Sequence, residues 1–484
     1  QRIIAKERQK QAPIGVSTGA VKQLTEASLI KHEGNKKTRH IPIRSLLSRA
    51  QESIQTLKPC FMMSPMSVAQ FLEPGKYHFD IVIMDEASQI RPEDAIGAIA
   101  RANSAVIVGD PKQLPPTSFF QRSNDADSDD EDVVVAETTE SILDTVIPIF
   151  TNRRLRWHYR SRHEKLIEFS NYHFYDNDLV VFPSPEDSDR LGLEYRKVDG
   201  MFVGNQNAEE ARLMVDEVAR LLTSGSSMSI GLVAMNIKQS QLIEDLLEEK
   251  VNSDPHLRAL YMKNLEQEEP IFIKNLENVQ GDERDIIMIS MTYGPKEPGG
   301  RTLQRFGPIN RDSGWRRLNV LFTRAKYKMI IFSSMASGDV LASEGKSRGV
   351  VALKNFLIYC ETKKIAGHIS IDETKGYDSD FEAGVAKALR DRGFDSQPQL
   401  GIAGYYLDLA VKNPQNPGEY LMGIECDGAT YHSAKSARDR DRLRQQVLEG
   451  LGWQIERIWS TDWFKHPERE IDRIVGELEK KMGA

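Results

Sequence analysis

Short runs of consecutive aliphatic residues, each breaking off at charged or small polar residues, constrain this chain more than any other feature. Ile81-Val82-Ile83-Met84 stops at Asp85-Glu86, and Val106-Ile107-Val108 stops at Gly109-Asp110. Runs at 230–234, 286–291 and 329–333 follow the same plan. A strand that is apolar at every position must be covered on both faces, as in a parallel sheet between helices. The intervening sequence supplies the helices. Its periodicity predicts one near 92–102, one over 351–361 and one starting near Ala208, with Leu213, Val215, Val218, Leu221 and Leu222 buried. Leu46, Leu47, Ala50, Ile54 and Leu57 recur at helical spacing before Pro59, and Cys60-Phe61-Met62-Met63 reads as a short buried strand.

A chain of 484 residues has room for two to four such domains. The motifs divide it into 1–150, 151–340, a connector at 341–375, and a block at 376–484 with a helix–strand–strand–helix–strand pattern. Cys60, Cys360 and Cys426 share no metal-ligand spacing, which fits free thiols in a reducing cytoplasm. No apolar run is long enough to cross a membrane, so no membrane partner is expected. The net charge of −7 at first argues against a nucleic-acid partner. However, residues 121–132 hold six acids and one arginine, and the remainder carries only −2. That acidic run reads as a solvated loop, with an autoinhibitory loop that mimics nucleic acid as the alternative.

Five motifs occur in order. They are Asp85-Glu86-Ala87-Ser88-Gln89, Gly109-Asp110 with Gln113-Leu114-Pro115-Pro116, His158-Tyr159-Arg160, Gln280-Gly281-Asp282-Glu283, and Thr323-Arg324-Ala325. This set resembles superfamily 1 helicases, most closely the branch whose second RecA-like domain opens with Gln-Tyr-Arg. The resemblance implies ATP and Mg²⁺ as cofactors and nucleic acid as partner. Under it Asp85 holds Mg²⁺ and Glu86 polarises the attacking water. Gln113 senses the γ-phosphate, Tyr159 stacks on adenine and Glu283 binds ribose. Arg160 and Arg324 serve as arginine fingers, a role that can contribute a rate factor on the order of 10³–10⁵. No Gly-x-x-x-x-Gly-Lys-Ser/Thr phosphate loop (the Walker A segment) precedes the motifs. Gly345-Lys346-Ser347 is a decoy, because the position five residues before Gly345 is Val340. The expectation is therefore a chain without ATPase activity of its own, with the phosphate-loop half cut away or supplied by a partner. Ala234-Met235-Asn236 stands where the family often has Thr-Pro-Tyr, which puts the usual nucleic-acid contact there in question.

The last block carries other chemistry. Phe381, Val385 and Leu389 mark a helix over 379–392, with Glu382 beside them. The run 405–411 buries Asp408 among apolar neighbours, and an unpaired carboxylate there wants a metal, a partner or a proton. The strand 420–427 places Glu425 and Asp427 on one face. His432 follows, and then a helix opening at Ser436-x-x-Asp439, with Leu443, Val447 and Leu451 facing inward. Its arginines at 438, 440, 442 and 444 suit either phosphate contact or an ion-paired face. Trp453, Trp459 and Trp463 read as core residues, with base stacking or base-step wedging as the alternative. The pattern resembles the PD-(D/E)XK nucleases, in particular the very-short-patch-repair (Vsr-like) branch. That resemblance implies Asp408 and Glu425 as Mg²⁺ ligands, Glu382 in support and His432 as a proton-transfer group. Asp427 replaces the usual lysine, so the general base stays open.

The expected fold class is α/β: RecA-like parallel-sheet helicase domains plus a C-terminal restriction-endonuclease-like α/β domain. The expected function is that of a fragment of a cytoplasmic ATP-dependent helicase–nuclease. It would act on DNA more readily than RNA, in bacterial DNA repair or defence against foreign DNA. The alternatives are a non-cleaving nucleic-acid scaffold and an RNA helicase whose last domain only binds.

Overall fold

The computed structural model describes residues 20–21, 24–116, 141–186, 191–342, 345–365, 376–401, 406–416, 418–427 and 435–483, with side chains of the last stretch described from 442. The chain forms two compact units, Gln1–Arg153 and Arg154–Ala484.

In the first unit, short helices α1 (Glu26–Gly34), α2 (Ile43–Arg49), α3 (Gln51–Leu57) and α4 (Pro65–Phe71) precede β1 (Phe79–Met84). The helical periodicity through Leu57 is realised, but it breaks at Ala50 between α2 and α3. The strand expected at 60–63 does not form, and Met62 is 98% exposed. Phe61 instead packs edge-on against Tyr77 and Phe79, with ring centroids 5.5 and 5.3 Å away. β1, α5 (Pro92–Ile99) and β2 (Ala102–Ile107) make one parallel strand–helix–strand unit. α6 (Ile142–Val146) closes a small core of Met84, Ala87, Ala95, Ile142, Leu143 and Val146. It is started by a reciprocal Ser141–Asp144 capping box. The acidic run 121–132 lies outside the described residues.

The second unit begins with β3 (Trp157–His158), α7 (Glu168–Phe174), β4 (Val180–Val181) and β5 (Gly192–Lys197). Then come α8 (Ala208–Thr223), β6 (Ile230–Ala234), α9 (Ile237–Ser253), α10 (Pro255–Leu265), β7 (Phe272–Asn275), β8 (Arg284–Ser290), α11 (Gly314–Phe322), β9 (Ala325–Ser333) and α12 (Arg348–Thr362). The five long strands form an all-parallel sheet in the order β5-β9-β8-β6-β7. α8, α9 and α10 cover one face through Met214, Val215, Val218, Ile243, Leu247 and Leu257. Leu213 is a correction: it is 42% exposed. The buried stripe runs through Ala211, Met214, Val215, Val218 and Leu221, and 213 falls off that 3.6-residue period. Ser347 of the decoy triplet caps α12 by accepting from Val350 N.

The C-terminal domain belongs to the same unit. It comprises α13 (Asp380–Asp391), β10 (Ser396–Leu400), β11 (Leu407–Lys412), β12 (Tyr420–Asp427), α14 (Lys435–Gly450), β13 (Ile455–Trp459), α15 (Ser460–Lys465) and α16 (Pro467–Gly483). The sheet order is β10-β11-β12-β13, antiparallel except for the parallel β12–β13 pair. β10 was missed because Ser-Gln-Pro-Gln-Leu carries little strand signal; as an edge strand it tolerates Pro398. α13 and α16 bury one face, including Trp463. Leu448 and Trp453 cover the other. Leu443 does not face inward as expected but is 52% exposed.

This second core is shared between domains. Phe182 is buried in it, and Trp157 and Val180 pack against it alongside Leu407, Ala410, Trp453 and Ile455. The Trp453 indole N–H donates to Pro183 O at 2.8 Å and Tyr420 N to Pro185 O at 2.8 Å, while Arg162 donates to Gly450 O. No helix among the described residues is long and apolar enough to cross a membrane.

Candidate functional site

The motifs of the first unit sit where β1 and β2 end. Val108 N donates to Met84 O and Ala87 N to Val108 O, so the two strand ends are laced together. Glu86 adopts φ 52, a left-handed conformation costly for a residue with a Cβ and often found where function demands it. Asp85 Oδ1 accepts from Glu86 N at 2.9 Å, and Glu86 Oε2 accepts from Gln89 at 3.2 Å. Asp110 accepts from Lys112 N at 2.8 Å and from the Gln113 amide at 3.3 Å, which folds that loop back on itself. Gly109 is required by space: a Cβ there would lie 3.0 Å from both Ser88 N and a Leu143 methyl.

In the second unit, β8 and β9 pair at Arg284 and Ala325, so Glu283 and Arg324 stand side by side at their amino ends. Arg160 Nε lies 2.7 Å from Glu283 Oε2, and Lys326 Nζ is 3.4 Å from Glu283 Oε1. Arg160, Glu283, Arg324 and Lys326 thus lie at the amino-terminal end of the sheet. Arg324 is buried, donating to Val320 O at 2.8 Å and to the Thr323 hydroxyl at 3.1 Å, so it ties down the carboxyl end of α11. Tyr159 is 67% exposed. The loop holding Tyr159 and Arg160 is set by the first residue of that motif, to which the sequence assigned no role. His158 Nε2 accepts from Ser161 N at 3.2 Å and sits 2.9 Å from its hydroxyl. Burial, assisted by the Arg160 charge, lowers His158 to about 4, so it stays a neutral acceptor at neutral pH.

The carboxyl-terminal end of this sheet carries a buried polar network. Glu210 accepts from Ser290 Oγ at 2.6 Å, Thr292 N at 2.7 Å, Ser334 N at 2.7 Å and Asn207 Nδ2 at 3.2 Å. One carboxylate thereby joins the carboxyl ends of β8 and β9. Burial pushes it up to about 7 despite these donors. Nearby Asn236, in the position of the absent Thr-Pro-Tyr, caps α9 by accepting from Gln239 N at 2.8 Å.

In the C-terminal domain Glu425 and Asp427 of β12 reach one guanidinium, that of Arg457. Asp408 Oδ2 accepts from Cys426 N at 2.7 Å. Burial pushes Asp408 up to about 7, and the charges of Glu382, Glu425 and Asp427 push the same way. Burial also raises the Cys426 thiol well above its ordinary value. Glu382 is buried at the first turn of α13 and accepts from Asp378 N at 3.0 Å, Ser379 Oγ at 2.9 Å and Gln399 Nε2 at 3.0 Å. Gln399 adopts φ 48 while buried, a conformation sustained by this contact. Arg457 on β13 meets Glu425 at 3.1 Å and Asp427 at 3.2 Å. Neither Gln399 nor Arg457 announced itself in sequence, since each joins the cluster only through strand pairing. Among the described residues no three His, Cys, Asp or Glu side chains are arranged as a metal cage. His432 lies outside the described residues, as do the side chains of Ser436 and Asp439. Trp453 and Trp463 are core residues, and Trp459 is half-buried.

Comparison with known proteins finds three matched stretches in the chain. AAA-domain family models match residues 21–121 and 140–336, and a restriction-endonuclease (REase) family model, the MTES 1575 type, matches 381–478. The chain combines superfamily 1 helicase domains with a restriction-endonuclease-like domain. It is 30% identical over 88% of its length to the uncharacterized ATP-dependent helicase MG140 of Mycoplasma genitalium, covering 39% of that protein. It is 25% identical over 54% of its length to the human DNA replication ATP-dependent helicase/nuclease DNA2, covering 25% of it. The ATP-dependent helicase upf1 of Schizosaccharomyces pombe is 26% identical over 60% of the chain, with 29% of that protein covered. The chain spans about two fifths of the length of its Mycoplasma relatives.

Proposed function

We infer that this chain is the motor-and-nuclease portion of an ATP-dependent DNA helicase–nuclease. Its last domain would cleave phosphodiester bonds with Mg²⁺. The observation that carries the reading is the gathering of Asp408 on β11 with Glu425 and Asp427 on the adjacent β12, beside Glu382 on α13, with Asp408 raised to about 7 by burial and by these acidic neighbours. Such a cluster is electrostatically unfavourable alone and fits a hard divalent cation with oxygen ligands. Asp408 and Glu425 would hold Mg²⁺, with Glu382 orienting the site from α13 and Asp427 alongside. The ion would polarise the phosphodiester and acidify water. His432 would transfer the proton.

For the motor, Asp85 and Glu86 would serve the metal and the attacking water, and Gln113 the γ-phosphate. Tyr159 would stack on adenine, Glu283 would bind ribose, and Arg160 and Arg324 would stabilise charge on the transferred phosphoryl group. Arg160 would exchange its pairing with Glu283 for phosphate. The sequence contains no phosphate-loop motif, so ATP turnover is assigned to the protein with that half present, in the same polypeptide or from a partner. DNA is favoured over RNA by the likeness to a DNA helicase/nuclease, and a cytoplasmic role in bacterial DNA repair or defence follows by analogy. The Vsr-like branch remains the reading of the nuclease motif.

One observation favours a second reading, a non-cleaving nucleic-acid scaffold: Arg457 already engages both Glu425 and Asp427. The deciding experiment measures cleavage of labelled single- and double-stranded DNA and RNA with Mg²⁺ or EDTA, beside Asp408→Ala. Metal-dependent cutting of DNA that vanishes in the variant supports the nuclease. A folded chain that binds DNA and never cuts supports the scaffold.

A further inference from the structure

Arg457 pairs in register with Glu425 across the parallel β12–β13 ladder. Its Nη2 reaches Glu425 Oε2 and its Nη1 reaches Asp427 Oδ2, so one guanidinium spans both acids. Its Nε is buried and has no hydrogen-bond partner among the described residues. A guanidinium offers five N–H donors in a fixed plane, so donor capacity remains after both ion pairs. The carboxylates it bridges are those whose charge helps to raise Asp408.

We propose that Arg457 is the resident counter-ion of the carboxylate cluster, holding Glu425 and Asp427 until a divalent cation takes its place, and then turning to the nucleic-acid phosphate. The proposal rests on the nuclease reading above. A cation on these carboxylates needs oxygen lone pairs that the guanidinium now engages, so the two compete. Mg²⁺ demands near-ideal octahedral geometry at about 2.0–2.1 Å, which hydrogen bonding to Arg457 would disturb. β12 and β13 fix the Arg457 backbone, so release needs only side-chain rotation. The freed edge of Nε and an Nη then matches two phosphate oxygens, a bidentate fit an ammonium cannot make.

The test uses the full chain with Mn²⁺ as the probe, measuring its affinity by calorimetry and DNA cleavage separately. The variants are Arg457→Ala and Arg457→Lys, with Asp408→Ala as control and circular dichroism to confirm folding. Arg457→Ala is expected to bind Mn²⁺ about tenfold more tightly, because its competitor is gone. It is expected to cleave roughly a hundredfold more slowly, as when a charge-stabilising donor is lost. Arg457→Lys should fall between on both measures. Unchanged or weaker Mn²⁺ affinity in folded Arg457→Ala, with Asp408-dependent binding in the wild type, overturns the proposal and leaves the nuclease reading standing. Tighter binding without cleavage by any form supports the competition between Arg457 and the cation and overturns both the nuclease and the turn of Arg457 to phosphate. Absence of Asp408-dependent binding throughout overturns both. Should Arg457→Ala fail to fold, Arg457→Lys decides, since unchanged affinity there is the overturning result.

Discussion

Replacing Asp408 by Asn should stabilise the metal-free protein while abolishing the metal binding proposed for it. Asp408 is raised to about 7 from an ordinary 3.8, first by burial and then by Glu382, Glu425 and Asp427. Each pKa unit is about 1.36 kcal/mol, so three units set a ceiling near 4 kcal/mol. The side chain is only partly covered, and solvent screening brings the expected gain to about 2–3 kcal/mol. The sign follows from proton linkage. Below pH 3.8 the carboxyl is protonated in both folded and unfolded chains and costs nothing. As pH rises toward 7, the unfolded chain releases its proton while the folded one retains it, so wild-type stability falls; above 7 the full penalty applies. Asn keeps an acceptor for Cys426 N and carries no charge, so the variant escapes this loss. Urea unfolding in EDTA across pH 4–8 should show a stability difference that opens with rising pH and levels off above about 7. Added Mg²⁺ should stabilise the wild type and leave Asp408→Asn unmoved. A variant less stable than wild type at pH 8, or a difference independent of pH, would refute the electrostatic reasoning.

Trp453→Ala removes a buried indole from the core shared by the two domains and strands Pro183 O, so a cost of about 3–5 kcal/mol is expected. Limited proteolysis should then separate the restriction-endonuclease-like domain from the helicase domain, and unchanged resistance would contradict the shared core. Gly314→Ala would place a Cβ 2.3 Å from Ile309 O, a backbone atom that cannot swing away, and should lower stability by about 1–3 kcal/mol or more in thermal unfolding. Glu210→Gln should cost about 2–4 kcal/mol by denaturant unfolding at pH 8, because an amide N–H₂ would face donors.

Much of the fold was legible because its strands are continuous aliphatic runs. The strands at 230–234 and 420–427 lie where periodicity put them, and α8 begins at Ala208 as expected. The errors came where position depended on partners distant in sequence. Phe61 and Met62 look like strand residues, but Phe61 is claimed by Tyr77 and Phe79 instead. β10 has weak propensity and exists because β11 pairs with it. For the site, alternation alone placed Glu425 and Asp427 together. It could not show that Arg457 answers them, since that contact depends on the register of β12 against β13. Likewise the clamp of Trp453 on Pro183 joins residues 270 apart in sequence and leaves no local trace.

Glu210 and Asp408 are both raised to about 7 by burial, yet their surroundings assign them opposite jobs. Glu210 is met by four donors, two of them backbone N–H groups that cannot turn away. Its charge is answered by fixed dipoles, nothing more is needed, and either oxygen replaced by N–H₂ breaks the fit. Asp408 is met by one backbone N–H and faces other carboxylates. Its charge is under-compensated by design of the strand pairing, and the Asn that would ruin a network like that of Glu210 relieves it. A carboxylate met by four donors, two of them immobile backbone N–H groups, is a structural fastener. One whose folded neighbours make its ionisation costly is relieved by any change that removes its charge, and a cation proposed to bind there would relieve it likewise. The same raised pKa therefore predicts opposite signs for Glu210→Gln and Asp408→Asn, and measuring both at pH 8 separates hydrogen-bond loss from charge relief in a single protein.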